Sequence, residues 1–102
     1  MIGVDLVHIP EFTKNIEIGG ETFLLRTFLP TELKNKKIEH LAGLFAAKEA
    51  VIKAVGLPIG SWLDIEISDG KPVAIVQHQR KLDISISHHG DYAIAVAVEI
   101  HD

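Results

Sequence analysis

Leu41-Ala42-Gly43-Leu44-Phe45-Ala46-Ala47-Lys48-Glu49-Ala50-Val51-Ile52-Lys53-Ala54-Val55 is the stretch that decides the fold. It reads as most of a long helix, with one carboxylate and two lysines among small and apolar residues. Ile38, Leu41, Phe45, Ile52 and Val55 recur at spacings of three, four or seven. One face is therefore built to lie against a sheet, and the alanines let that packing be close. The helix is expected from about Lys36 to Gly56, a residue suited to its C-cap, and some twenty residues give about 30 Å, enough to cross a small sheet. Glu49 and Lys53 share a side of it, while Lys48 lies about 100° round from Glu49 and can reach the same rim. Taken alone, Glu49 and Lys53 fit two readings: a surface ion pair of ~0.3–0.5 kcal/mol, or part of a catalytic cluster.

On the N-terminal side, Met1 to Ile9 alternates as a strand, with Val4 and Leu6 on one face and Asp5 and Val7 on the other. Asp5 fits either a strand-edge position facing water or a metal ligand. Pro10 suits a first helical turn; Glu11 to Ile16 is expected to be a short helix stopped by Gly19-Gly20, with Glu21 to Phe28 helical again. On the C-terminal side, Trp62 to Ser68 and Val73 to Gln77 read as two strands around the turn Asp69-Gly70-Lys71-Pro72. Leu82 to His88 and Tyr92 to Ile100 follow as a hairpin through Gly90-Asp91. In the last strand Ala93, Ala95 and Ala97 share one face, which suits close packing by the long helix. The class is α+β: one domain over residues 1–102, an antiparallel sheet packed against a long central helix.

The 102 residues suffice for a real core but not to enclose a deep site alone, which favours a site at a subunit boundary. No apolar run approaches the ~18 residues of a membrane span, and no basic-then-apolar leader opens the chain, so a cytoplasmic protein without a membrane partner is expected. Without cysteine there is no disulfide, thiol nucleophile or thiolate metal site. A net charge of −4 argues against a nucleic-acid partner. Arg26, Lys34, Lys36, Lys37, Lys48 and Lys53 nevertheless concentrate positive charge in one segment, where an anion could bind. His88 and His89 lack a second histidine three to five residues away, so a zinc site is poorly supported. Ser85 or Ser87 with His88 and Asp91 could suggest a hydrolase triad, but the nucleophile-elbow context is missing.

Three segments together resemble holo-acyl-carrier-protein synthases, the small class of 4′-phosphopantetheinyl transferase: Gly3-Val4-Asp5-Leu6-Val7, Phe45-Ala46-Ala47-Lys48-Glu49-Ala50 with Lys53, and Ile84-Ser85-Ile86-Ser87-His88 followed by Tyr92-Ala93. Arg26-Thr27-Phe28 with Glu32, and Gly70-Lys71-Pro72, add to the likeness. The resemblance implies Mg2+-dependent transfer of phosphopantetheine from coenzyme A to a serine of apo-acyl carrier protein, a step of fatty acid biosynthesis that releases adenosine 3′,5′-bisphosphate. It implies Asp5, Glu49 and Lys53 as catalytic residues and Asp5 and Glu49 as the metal ligands. The implied coenzyme A contacts are Lys48, Lys53, Gly56, Lys71, Pro72, Ser87, His88 and His89. Lys14 and Arg26 would dock the carrier protein, and a homotrimer would carry its sites between protomers.

These residue types suit that chemistry. Magnesium is held by one or two carboxylates plus phosphate oxygens and water, and lysines stabilise the charge that develops as a pyrophosphate is cleaved. Glu49, directly or through a metal-bound water, is the candidate base for the serine hydroxyl. Leu44 stands where the family usually has arginine, so a nucleotide contact is expected to be either lost or moved to Lys36 or Lys37. Pro58 removes an N–H from the loop after Gly56. These two departures motivate an alternative, a non-catalytic module of the same fold that binds coenzyme A or a carrier protein.

Overall fold

The computed structural model describes residues 1–68, 73–77 and 80–99, with only the backbone of Val73. Strand β1 (Ile2–His8) leads into helix α1 (Ile9–Thr27), a 3-10 turn (Glu32–Lys34) and helix α2 (Ile38–Val55). A second 3-10 turn (Trp62–Asp64) precedes β2 (Ile65–Ile67), β3 (Val73–Val76), β4 (Arg80–His89) and β5 (Tyr92–Glu99). The strands form one antiparallel sheet in the order β1-β5-β4-β3-β2, so the first and last strands of the chain pair inside it.

Helix α2 lies across this sheet because small residues let it approach. Ala93, Ala95 and Ala97 of β5 are buried, as are Ala46, Ala47, Ala50 and Ala54 of α2. At Gly3 of β1 the approach is closest: a Cβ there would overlap the Ala50 carbonyl oxygen and come within 2.8 Å of Ala54 N. Nearer the start of the helix, on the same face, Gly43 leaves room for Ile86 and His88 of β4, each 3.1 Å from the place a Cβ would take. Gly56 ends the helix in the left-handed conformation, φ 73°, as its C-cap position requires.

The buried surface of α2 is wider than the expected stripe. Leu44, Lys48 and Val51 are buried together with Leu41 and Ile52, because α1 and the two 3-10 turns cover the side away from the sheet, while Phe45 and Val55 are only partly buried. The phenylalanines fill that second layer: the Phe12 ring centroid lies 5.3 Å from Phe45, 6.0 Å from Phe23 and 6.5 Å from Phe28.

Three element boundaries differ from the sequence expectation. Helix α1 starts at Ile9, and Gly20 (φ 57°, ψ −144°) kinks it instead of separating two helices by a loop. The alternating stretch from Trp62 supplies only Ile65–Ile67 as strand, since Trp62–Asp64 coils into a 3-10 turn whose Trp62 carbonyl accepts from the Ile65 N–H and from Lys48 Nζ. Strand β3 ends at Val76, where Gln77 turns to φ 51° and its N–H donates to the Asp64 carbonyl. No helix among the described residues is long and apolar enough to cross a membrane.

Candidate active site

The C-terminal half of α2 meets β1 in a cluster of charge. Asp5 shares the inner face of β1 with Gly3 and Val7, so the tight Gly3 contact brings its carboxylate to the helix. Lys53 Nζ donates to Asp5 Oδ1 at 3.0 Å and to the Val4 carbonyl at 3.2 Å. The Asp5 side chain is only 15% exposed, which removes the reading of a solvated strand-edge residue. Glu49, one turn before Lys53, takes a hydrogen bond from the indole N–H of Trp62 at 2.9 Å. The expected Glu49–Lys53 surface pair is replaced by Lys53–Asp5 and Trp62–Glu49.

The N-terminal half of α2 borders a cleft of about 420 Å³, whose polar lining includes Thr31, Lys34, His40, Glu66 and His88, with Leu44 and Gly43 on the helix side. Lys36 and Lys37 do not line it, whereas His40 and Lys34, the last residue of the 3-10 turn, do. His88 Nε2 lies 2.9 Å from the Glu39 carbonyl. A carbonyl only accepts, so Nε2 carries the hydrogen and leaves Nδ1 available. A shallow depression of about 330 Å³ on the outer sheet face is lined by Ser87, His88, His89 and Tyr92 with Leu6 and Ile94. His88 is common to both recesses.

Within the chain these two regions do not converge. At about 100° per residue, Glu49 and Lys53 stand about 140–180° round α2 from His40 and Leu44. Gly56 belongs to the Asp5 end, whereas Ser87, His88 and His89 belong to the cleft end. Lys71 and Pro72 lie outside the described residues. Lys14 and Arg26 are exposed on α1, on either side of the Gly20 kink.

Lys48 is the expected site residue that the structure places elsewhere. It is fully buried, with Nζ 2.6 Å from Glu32 Oε1, 3.0 Å from the Thr27 carbonyl and 2.9 Å from the Trp62 carbonyl. Its three donors are thus spent inside the protein. Burial holds its ammonium below the usual lysine range, against the upward pull of Glu32. Glu32 is satisfied in turn by the Leu29 N–H at 2.7 Å and the Ile67 N–H at 3.0 Å. Lys34 entered the sequence reading only as one base of the positively charged segment, and Trp62, His40 and Glu66 escaped it as site residues. Only Trp62 carried a signal, as the single tryptophan immediately before an alternating run.

A five-stranded antiparallel sheet with a helix laid across it thus sets Asp5 of the first strand against Lys53 of that helix, one turn from Glu49. The sequence matches the family described as the 4′-phosphopantetheinyl transferase superfamily over residues 1–97. It is 43% identical to the holo-[acyl-carrier-protein] synthase of Protochlamydia amoebophila, covering 95% of this chain and 94% of that one. It is 42% identical to the synthase of Nautilia profundicola, covering 96% and 97%. The Helicobacter pylori synthase in complex with coenzyme A superposes with a TM-score of 0.82 at 36% identity, covering 98% of this chain and all of that one (100%). The chain belongs to the 4′-phosphopantetheinyl transferase superfamily, and the relatives it matches along nearly their whole length are holo-[acyl-carrier-protein] synthases.

Proposed function

We propose that this chain, acting as one catalytic domain over residues 1–102, transfers 4′-phosphopantetheine from coenzyme A to a serine of apo-acyl carrier protein, releasing adenosine 3′,5′-bisphosphate. The observation that carries the proposal is the Asp5–Lys53 contact, which fixes a strand carboxylate and a helix ammonium beside Glu49. The relatives are synthases, one of them with coenzyme A bound, which favours the enzyme over a non-catalytic module.

Mg2+ fits the donor set. Asp5 and Glu49 are hard oxygen ligands, and each spends one oxygen on a hydrogen bond while the other has none among the described residues. No third histidine, cysteine or acid joins them among the described residues, so phosphate oxygens and water would complete the shell. When bound, the cation neutralises charge developing on the pyrophosphate. Lys53, 54% exposed at its side chain, is free enough to reach a phosphate oxygen from its place on Asp5. Glu49 accepts the proton of the attacking serine hydroxyl. The serine oxygen bonds to the phosphorus that carries the pantetheine arm, and the bond from that phosphorus to the bridging oxygen breaks. The electron pair leaves with the nucleotide bisphosphate. The cleft beside Gly43 would receive the nucleotide, with Lys34 and His40 as its cations and His88 presenting Nδ1. Ser87, His88 and His89 would line the approach of the arm, Lys71, Pro72 and Gly56 being further contacts, and Lys14 and Arg26 would meet the acidic carrier protein.

A second copy of the chain would bring cleft and carboxylates together. The outer face of β1 and β5 exposes Ile2, Val4, Leu6, Tyr92, Ile94 and Val98, and the register sets Leu6 opposite Ile94 and Ile2 opposite Val98. Such a continuous apolar face on a small protein is an interface in need of a partner. We assign it to a homotrimer, in the cytoplasm, serving fatty acid biosynthesis.

The test is the intact mass of an apo-carrier protein incubated with coenzyme A, Mg2+ and the enzyme. A phosphopantetheine gain is expected, and Asp5→Ala and Glu49→Ala should each abolish it in folded protein. No gain at any coenzyme A concentration would overturn the proposal.

A further inference from the structure

Among the described residues one group orients Glu49. The Trp62 indole N–H donates to Glu49 Oε1 at 2.9 Å. An indole is a donor only, and a donor aimed at a carboxylate makes a charge-assisted bond. Trp62 is itself held at three points. Its ring lies 5.7 Å from Phe45 between centroids, its carbonyl accepts from Lys48 Nζ at 2.9 Å, and the carbonyl also closes the 3-10 turn through the Ile65 N–H. Lys48 is fixed in turn by Glu32 and Thr27. A rigid chain therefore runs from the core to one oxygen of Glu49 and leaves the other oxygen open.

We infer that Trp62 is a positioning residue for Glu49: its indole N–H locks the carboxylate so that Oε2 is presented to the cation and the attacking hydroxyl, while the buried Lys48–Glu32 pair holds Trp62 in register. Lys48 then serves the reaction from the core, not as a phosphate contact. Partners that orient a ligating carboxylate are worth roughly 10–100-fold in metal affinity or activity when removed. The inference rests on the proposed metal-binding role of Glu49.

The full-length protein with coenzyme A and Mn2+, read by the electron spin resonance of the metal, tests it. Glu49→Gln should lose the bound Mn2+. Trp62→Phe, which keeps the ring against Phe45 and deletes only the donor, should bind Mn2+ roughly 10-fold or more weakly, with coenzyme A affinity measured without metal unchanged. Parent-like Mn2+ affinity in Trp62→Phe, with binding lost in Glu49→Gln, would overturn the positioning role and leave the metal site standing. Equal losses of coenzyme A affinity with and without metal would make Trp62 merely structural and overturn it too. Parent-like affinity in Glu49→Gln would sink the metal reading itself. The unmodified protein gives an independent readout through its single tryptophan: adding Mg2+ to the coenzyme A complex should change the indole emission, and a saturating addition that leaves it unchanged overturns the proposal even if Trp62→Phe fails to fold.

Discussion

At Lys48 a cation sits in the core with three partners and no solvent-exposed surface, and its energetics follow from that enclosure. Replacing it with methionine leaves Glu32 as a buried charge without its counter-ion, which costs about 3–5 kcal/mol. Urea denaturation of Lys48→Met should show that loss, and adding Glu32→Gln should recover much of it. The pH dependence has a definite sign. Burial depresses the folded ammonium below 10.5, so in the window between its lowered value and 10.5 the folded chain binds fewer protons than the unfolded one. Lys48 therefore makes stability rise with pH across that window, a slope that should be absent from Lys48→Met when unfolding is followed at stepped alkaline pH. Helical geometry places Lys48 about 100° from Glu49, and that much was legible in the sequence. Whether a long side chain at that angle bends to the rim or into the core depends on Glu32, Thr27 and Trp62, which meet only after folding. Asp5 was legible for the opposite reason: an acid alternating with apolar residues on a strand stands out, although its partner Lys53 lies 48 positions away.

The elements meet through two glycines on the sheet-facing side of α2, Gly3 of β1 against its C-terminal half and Gly43 in its N-terminal half. At Gly3 an added methyl would meet backbone of the helix, which cannot move aside as a side chain would. Gly3→Ala should cost at least the upper end of about 1–3 kcal/mol for overpacking, seen as a lower denaturation midpoint, and should displace Asp5 from Lys53. At Gly43 the neighbours are the tips of His88 and Ile86. Gly43→Ala should leave the fold intact but push His88 off the Glu39 carbonyl and weaken nucleotide binding several-fold, measurable by titration calorimetry with adenosine 3′,5′-bisphosphate. The long helix, its Gly56 cap and the small face of β5 were readable because period and residue size are local properties. The 3-10 turn at Trp62–Asp64 was not, since its alternation mimics a strand and the bonds that coil it come from Lys48 and Gln77.

For the whole molecule the decisive feature is the separation of three surfaces: a cleft on one side of α2, carboxylates on the other, and an apolar outer sheet face. Leu6 is 59% exposed and Ile94 40%, directly opposite each other in register. Leu6→Glu with Ile94→Glu should place charge in the proposed subunit contact, so that light scattering after gel filtration shows a monomer with unchanged circular dichroism and no transferase activity. Full activity in that monomer would refute a site shared between protomers. The sheet order was legible only in outline, because pairing β1 with β5 joins the two ends of the sequence.

The dry enclosure of Lys48 also makes it chemically silent. An amine-directed acylating reagent can modify the exposed Lys14, Lys34, Lys36, Lys37 and Lys53 at once, but it reaches Lys48 only when the segments carrying Thr27, Glu32 and Trp62 part from α2. Its labelling rate is a clock for that opening, and coenzyme A, if it draws the same segments together, should slow the clock.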